Sequence, residues 1–373
     1  MVFWASVGLL VYTQCGYPLA LIAISRALPK RPRPAARDLP AVSLIVAAHD
    51  EGAVIGAKVA DALALDWPRE QLEVVVCCDG CTDDTAERAR KAGADLVLEL
   101  PRSGKVRAQD AGVAAGRGEL LAFSDANASW ERDALRELAA AFSEADVGYA
   151  CGQVRFVQAA AGAGADNQEG IYWRFEMAVR AGESRLRSVT AGNGGIYAVR
   201  REAYLLVDER MGHDLSFPFK MVKRGWRAVY VPAARAQEKM VPSLEGEFAR
   251  KRRMMSHAWP IVLRGGMLSP RGYGLRYGWM ILSHRVLRYA APALHLVALG
   301  TNIALAGRGA VYDALLAAQL ALLLGAAVAP VLRLRVLLLA RYYVLMNASL
   351  ALGLWDYLRH GTPAGWEAPE GTR

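Results

Sequence analysis

Four short apolar runs dominate the first third of the chain, and an acid follows close behind three of them. The runs are Val42-Ser43-Leu44-Ile45-Val46-Ala47-Ala48, Glu73-Val74-Val75-Val76-Cys77-Cys78, residues 95–100, and Leu120-Leu121-Ala122-Phe123-Ser124. Runs of this length, rich in β-branched residues and lacking polar alternation, read as strands buried on both faces. Helical stretches separate them, reaching about Ala64 after the first and about Ala92 after the second, with 105–115 after the third. Such alternation restricts the chain to an α/β class with a parallel, doubly wound sheet. Glu51, Asp79 and Asp125 all fall just past strand C-termini. In such a sheet those ends open on one crevice, where the ligand sits.

Beyond Asp125, residues 133–142 read as an amphipathic helix, 147–157 as a strand, 159–165 as an Ala/Gly-rich loop and 172–184 as a helix. Gly192-Asn193-Gly194-Gly195 is a backbone that can approach a ligand closely, and Ile196-Tyr197-Ala198-Val199 resumes as a strand. A helix opens at Gly212-His213-Asp214 and reaches Arg224 before the capping Gly225. Residues 227–231 form a last short strand.

The apolar fraction, 54%, is above the usual globular range, and the excess lies in residues 2–25 and 280–356. Residues 2–25 carry no charge and are long enough to cross a bilayer. They lack a basic start and a small-residue cleavage site, so they read as an anchor rather than a signal peptide. Arg26, Lys30, Arg31, Arg33 and Arg37 follow, threaded with Pro29, Pro32 and Pro34. That is a stiff basic spacer, and the positive-inside rule puts everything from residue 26 in the cytoplasm. Residues 245–264 interleave Arg250, Lys251, Arg252 and Arg253 with Phe248, Met254, Met255, Trp259 and Ile261, the pattern of a helix lying on a membrane surface. Three apolar segments follow near 282–306, 311–332 and 336–356. His284, Arg285 and Arg288 mark a cytoplasmic start for the first, and Arg333 and Arg335 separate the other two. The expected organisation is an anchor (1–25), a linker (26–40), a catalytic domain (41–244), an interfacial segment (245–278), transmembrane helices (279–358) and a tail (359–373). The net charge of +9 sits beside the apolar segments, which points to an anionic membrane surface rather than to nucleic acid.

Five cysteines do not make a disulfide framework in 373 residues. Cys78-Asp79-Gly80-Cys81 fits a redox pair or half of a zinc site, but the chain has no second such pair. Reduced thiols in a cytosolic domain are the plainer expectation.

The candidate chemistry follows from spacing. Asp125 and Asn127, two apart on a turn after a strand, can offer oxygens to one hard dication. Asp214 stands at a helix start, where the helix dipole keeps a carboxylate ionised and ready to accept a proton. Taken singly, each also reads as a helix cap.

Taken in order, the stretch 42–51, the stretch 74–84 around Asp79-Gly80-Cys81-Thr82-Asp83, Gly104-Lys105, Ser124-Asp125-Ala126-Asn127, residues 192–201 and Gly212-His213-Asp214 resemble the family 2 inverting glycosyltransferases. The likeness is greatest to the membrane-bound, cellulose-synthase-like bacterial branch and covers roughly residues 1–360. It implies a glycosyltransferase-A type nucleotide-sugar-binding domain with one N-terminal and about three C-terminal transmembrane helices. It also implies a divalent metal, Mg2+ or Mn2+, a nucleotide-diphosphate sugar donor, and a lipid-linked or glycan acceptor in cell-envelope or exopolysaccharide synthesis. The protein would then be a multi-pass protein of the cell membrane, with its catalytic domain in the cytoplasm among membrane lipids and with no nucleic-acid partner.

Carried over residue by residue, the resemblance gives His49 and Glu51 to the nucleotide base, Asp79 to the base or ribose, and Lys105, with Asp110 beyond it, to the glycine-lysine motif. Asp125 and Asn127 become the metal motif, and Asp125 also faces the donor. Asp214 becomes the general base, with inversion at the anomeric carbon. Arg250, Arg252 and Arg253 go to the donor diphosphate or a lipid phosphate. The departures are His49 for a tyrosine, Cys78 and Cys81 for an aspartate and a serine, Asn127 for a carboxylate, and His213 for an acid beside the base. The glutamine and tryptophan of the Q-x-x-R-W box of processive synthases are missing. Two other readings stay open: transfer onto polyprenyl phosphate itself, and a non-catalytic nucleotide-sugar-binding membrane subunit.

Overall fold

The computed structural model describes residues 1–29, 39–157, 166–239 and 244–362, with side chains from residue 173 onward in the third stretch. The expected 159–165 loop, the tail past 362 and the linker cations Lys30, Arg31, Arg33 and Arg37 lie outside the described residues.

Eight strands form one sheet: β1 (Val42–Ala48), β2 (Leu72–Asp79), β3 (Leu96–Leu100), β4 (Leu120–Asp125), β5 (Ser129–Trp130), β6 (Val147–Val157), β7 (Tyr197–Arg200) and β8 (Arg227–Lys239). Their spatial order is β3-β2-β1-β4-β7-β6-β8-β5. The parallel expectation holds for β3, β2, β1 and β4. Beyond them it holds only for β6 with β8, because β7 inserts antiparallel between β4 and β6, and β5 pairs antiparallel with β8. The sheet is therefore mixed, since strand–helix alternation stops after β4 and the chain returns by other connections.

Each residue of β1 is buried, and successive residues serve opposite faces. Val42 and Leu44 join Val74, Leu135 and Leu138 on one side, while Ile45 and Ala47 join Phe123, Tyr149, Tyr197 and Phe217 on the other. Each large apolar side chain so enclosed contributes about 1.5–3 kcal/mol. The C-terminal end of β1 thus rests on a sheet buried on both faces.

Helices α1 (Val2–Ala27), α2 (Gly52–Leu63), α3 (Thr85–Lys91), α4 (Lys105–Ala115), α5 (Ala134–Ala140), α6 (Asp166–Leu186), α7 (His213–Lys223), α8 (Leu244–Leu263), α9 (Ala291–Ala304), α10 (Ala310–Leu332) and α11 (Arg335–His360) complete the architecture. Three of them, α1, α10 and α11, are long and apolar enough to cross a membrane. The expected segment near 282–306 is broken instead. A π-helical turn, Ile281–Val286, precedes α9, which has 14 residues against the roughly 20 that a span needs.

The charges in that turn also make buried contacts. His284 and Arg285 are buried, and they meet acids of α6. The Glu183 carboxylate accepts from Tyr17 Oη at 2.8 Å and from Thr190 N at 3.0 Å, and it pairs with His284 Nδ1 at 2.7 Å. Arg288 pairs with Glu176, and Arg285 Nε donates to Thr190 Oγ1 at 2.8 Å. This cluster joins α1 and the π turn to α6 and the segment that follows it. Helix α8 packs on α11: Trp259 Nε1 donates to Leu350 O at 3.0 Å, and Arg252 forks onto Asp356 at 2.6 and 2.7 Å. Its Trp259, Ile261 and Val262 are buried against Tyr277, Met280 and Ile281.

Candidate functional site

The C-terminal ends of β1, β2 and β4 bring the sequence-predicted residues to one edge. Ala47 of β1 lies beside Asp125 on β4, and Ala48 lies beside Cys78 on β2. The fully buried Asp79 closes β2, and its carboxylate accepts from Ser103 N at 2.6 Å and Gly104 N at 3.0 Å. Gly104 takes a φ of +97°, which favours glycine, and α4 begins at the next residue. Lys105 therefore leaves the first turn of α4 at a fixed point and pairs with Asp125.

Two more carboxylates face that ammonium. Asp214, in the first turn of α7, and Glu238, near the end of β8, both act on Lys105 through their charge. Burial, followed by the charge of Asp125, pushes Glu238 up to about 7, against the opposing pull of Lys105, Arg250 and Lys58. The Gly192–Gly195 backbone walls this cluster. A Cβ on Gly195 would stand 2.1 Å from Glu238 Oε1, and one on Gly194 would touch Asp125 Oδ2 and Lys105 Nζ at 3.9 Å. Gly192 N donates to Asp214 O at 2.6 Å, which ties this wall to α7.

The turn carrying Asn127 is braced from below. Ala128 N donates to Asp125 O at 3.2 Å, and Lys58 Nζ donates to Ala128 O at 2.7 Å. Lys58 is buried, and burial brings it down to about 8 against the charges of Asp61 and Asp125. Ser129 and Gln237 are register partners in β5 and β8, which carries Glu238 toward the same turn. Asp125, Asn127 and Glu238 together supply side-chain oxygens, the donor type that a hard dication takes.

The residues expected to meet the nucleotide base lie at the C-terminal edge of β1 and β2. His49 Nδ1 bonds to Asp79 O at 2.8 Å. Glu51 is buried, its N–H donates to Thr85 Oγ1 at 2.9 Å, and α2 starts at the next residue. The arginines of α8 separate. Arg250 reaches Glu238 electrostatically and forks onto Glu247 at 2.8 and 2.9 Å. Arg252 is held by Asp356 on α11, while Arg253 is exposed. Asp110 accepts from Tyr204 Oη at 2.7 Å, which makes it a brace behind α4.

His213, which stands where the resembled family has an acid, is packed into the core. Its ring is buried, stacks on Phe217 with centroids 4.0 Å apart, and bonds Tyr197 Oη at 2.8 Å through Nδ1. Burial, helped by Lys105, drops it to about 3. It is a neutral core residue that positions the start of α7.

Sequence reasoning missed Glu238 and Lys58. The β8 strand was expected to stop at Val231, before Pro232, but it runs to Lys239. Burial alternates at Ala234 and Ala236, and that weak period-two pattern is the signal that could have extended it. Lys58 lies within the helical stretch that reaches about Ala64, and no motif marks it.

Residues 40–256 match the family described as Glycosyltransferase like family 2. The chain belongs to this family. Among similar family 2 relatives, the beta-monoglucosyldiacylglycerol synthase of Nostoc sp. (strain PCC 7120 / SAG 25.82 / UTEX 2576) is 28% identical over 283 residues, covering 68% of this chain and 57% of that protein. An N-acetylglucosaminyltransferase of Rhizobium sp. (strain N33) is 26% identical over 258 residues, covering 60% of this chain and 55% of that one. The chain thus spans little more than half the length of these relatives. The mannosyltransferase PcManGT from Pyrobaculum calidifontis, solved with GDP-Man and Mn2+, superposes with a TM-score of 0.73 at 22% identity, over 96% of this chain and 99% of that one. At that identity the likeness is one of fold, and it includes the helices outside the sheet.

Proposed function

We propose that the protein is a membrane-anchored inverting glycosyltransferase of the cellulose-synthase-like kind. It moves a sugar from a nucleotide-diphosphate donor to a lipid-linked or glycan acceptor at the cytoplasmic face of the cell membrane, in envelope or exopolysaccharide synthesis. The observation that carries this reading is the convergence of Lys105, Asp125, Asp214 and Glu238 on one crevice walled by glycine backbone.

His49, Glu51 and Asp79 bound the nucleoside end, and Lys105 at the N-terminus of α4 meets the diphosphate, where the helix dipole also favours an anion. Asp125 and Asn127 would hold Mg2+ or Mn2+, a choice supported by PcManGT, a protein of similar fold solved with Mn2+. When bound, such an ion neutralises charge on the leaving diphosphate. Asp214 takes the proton of the acceptor hydroxyl as that oxygen attacks the anomeric carbon from the opposite side, and inversion follows. The Gly194–Gly195 backbone keeps donor and acceptor in line by leaving no side chain between them. Arg250 lies close enough to reach donor charge, whereas Arg252 and Arg253 sit where α8 meets α11 and suit a lipid phosphate.

The test is a panel of nucleotide sugars offered to the purified protein, with binding and nucleoside-diphosphate release measured. One donor is expected to bind in the micromolar range and to turn over when lipid extract is added. A protein that binds no nucleotide sugar refutes the reading. Loss of a polyprenyl-phosphate monosaccharide from a deletion strain would identify polyprenyl phosphate as the acceptor.

A further inference from the structure

The Cys78-Asp79-Gly80-Cys81 motif is not used by the transfer reaction, and the fold gives it new neighbours. His49, Asp50 and Cys81 each present one ligand atom, and these atoms lie within 4.8 Å of one another. Cys78, at the end of β2, is hydrogen-bonded to Cys81. A nitrogen, an oxygen and a sulfur thus lie close together, with the Cys78 sulfur beside that of Cys81, although no second cysteine pair follows in sequence.

The local backbone is built to hold that arrangement. Asp50 takes a φ of +50°, uncommon for a non-glycine residue, and its Oδ1 accepts from Thr82 N at 2.7 Å. Its Oδ2 is 3.7 Å from His49 Nε2. His49 Nδ1 bonds the carbonyl of Asp79 at 2.8 Å. A carbonyl accepts, so Nδ1 carries the proton and Nε2 keeps its lone pair, the tautomer of a metal-bound histidine with an outer partner. Tetrahedral zinc at about 2.0–2.3 Å from each ligand places ligand atoms roughly 3.5 Å apart. The His49, Asp50 and Cys81 atoms, within 4.8 Å of one another, lie near that spacing, and Cys78 would join them by turning its sulfur past that of Cys81.

We propose that His49, Asp50 and Cys81, with Cys78 as fourth donor, form a site for a borderline-soft divalent cation of the zinc class. It is chemically distinct from the all-oxygen site at Asp125 and Asn127, and the two lie on opposite sides of β1. Nitrogen and thiolate ligands select zinc-like ions, whereas carboxylate and amide oxygens select magnesium or manganese. Because His49 is also placed at the nucleoside end of the donor pocket, such a cation would sit beside the base, and its binding is tested without donor or acceptor.

Cobalt(II) is the probe, added to the reduced full-length protein in detergent with a non-thiol reductant. The wild type is expected to show thiolate-to-cobalt absorption in the near ultraviolet, together with the visible bands of tetrahedral cobalt, and zinc should bleach both. Cys81→Ser should abolish the thiolate band, and Cys78→Ser should roughly halve it. His49→Gln should weaken cobalt binding at least tenfold. Cys15→Ser and Cys151→Ser should leave the spectrum unchanged, since the one is exposed and the other buried elsewhere. Absence of the band in wild type, or its persistence in Cys81→Ser, overturns the proposal. Full intensity in Cys78→Ser removes Cys78 from the site. Manganese binding followed by electron paramagnetic resonance should be lost in Asp125→Asn and kept in Cys81→Ser, which separates the two metal sites.

Discussion

Replacing Lys105 by alanine removes the ammonium that Asp125, Asp214 and Glu238 share. Its side chain is 28% exposed, as is that of Asp125, so water screens the pair only in part. Two unit charges 4 Å apart at an effective dielectric of 20 interact by about 4 kcal/mol, an upper bound. A hydrogen bond to a charged group measured by mutation is worth about 1.5–3 kcal/mol, and this smaller figure decides, because the N-terminus of α4 remains to meet the diphosphate. At about 1.4 kcal/mol per tenfold, kcat/KM for the donor should fall roughly 10- to 150-fold. Metal affinity should move the other way, since Asp125 loses a competitor for its oxygens. The assay is a donor titration by nucleoside-diphosphate release, with manganese binding measured on the same preparations and Lys105→Arg as the charge-retaining control. A donor kcat/KM within threefold of wild type in Lys105→Ala would refute the role of Lys105. So would weakened manganese binding with an unchanged donor KM.

Gly195→Ala puts a methyl where Glu238 Oε1 now lies, so turnover should drop more than tenfold while the melting temperature changes little; equal turnover would show that the wall has slack. His213 titrates at about 3 when folded and near 6.5 when unfolded. The unfolded chain takes the proton first, so stability is full above about pH 6.5 and drains as pH falls toward 3, by up to about 5 kcal/mol. His213→Phe should flatten that acid slope in unfolding experiments, and an identical slope would contradict the buried neutral ring. Glu183→Gln leaves His284 and Arg285 buried without their carboxylate and should cost about 3–5 kcal/mol of stability. Glu245→Gln is the control, because Glu245 is 72% exposed in its pair with Arg341 and such pairs contribute about 0–1 kcal/mol.

The parallel half of the sheet was legible because β1, β2 and β4 are buried on both faces, and such strands must read as unbroken apolar runs. Asp79, Asp125 and Asp214 could be found because they stand where elements begin or end. Glu238 was hidden because β8 continues past Pro232 with alanine on its buried face, and alanine carries little strand signal. The ion pairs of His284 and Arg288 were not legible for a different reason: their acidic partners lie about 100 residues earlier in α6, and no local pattern reports a distant ion pair. Cys81 was set aside because its fellow ligands, His49 and Asp50, come from another strand end and meet it only in the fold.

The central claim is that Asp214 is the base of a glycosyl transfer carried out in this crevice. Asp214→Asn keeps size and hydrogen bonding but cannot take the proton. Donor binding by calorimetry, measured beside product formation on the same preparation, tests that claim most directly. The account requires donor affinity within about threefold of wild type and product formation lowered by roughly 10²–10⁴. Product formation within a few-fold of wild type would contradict it.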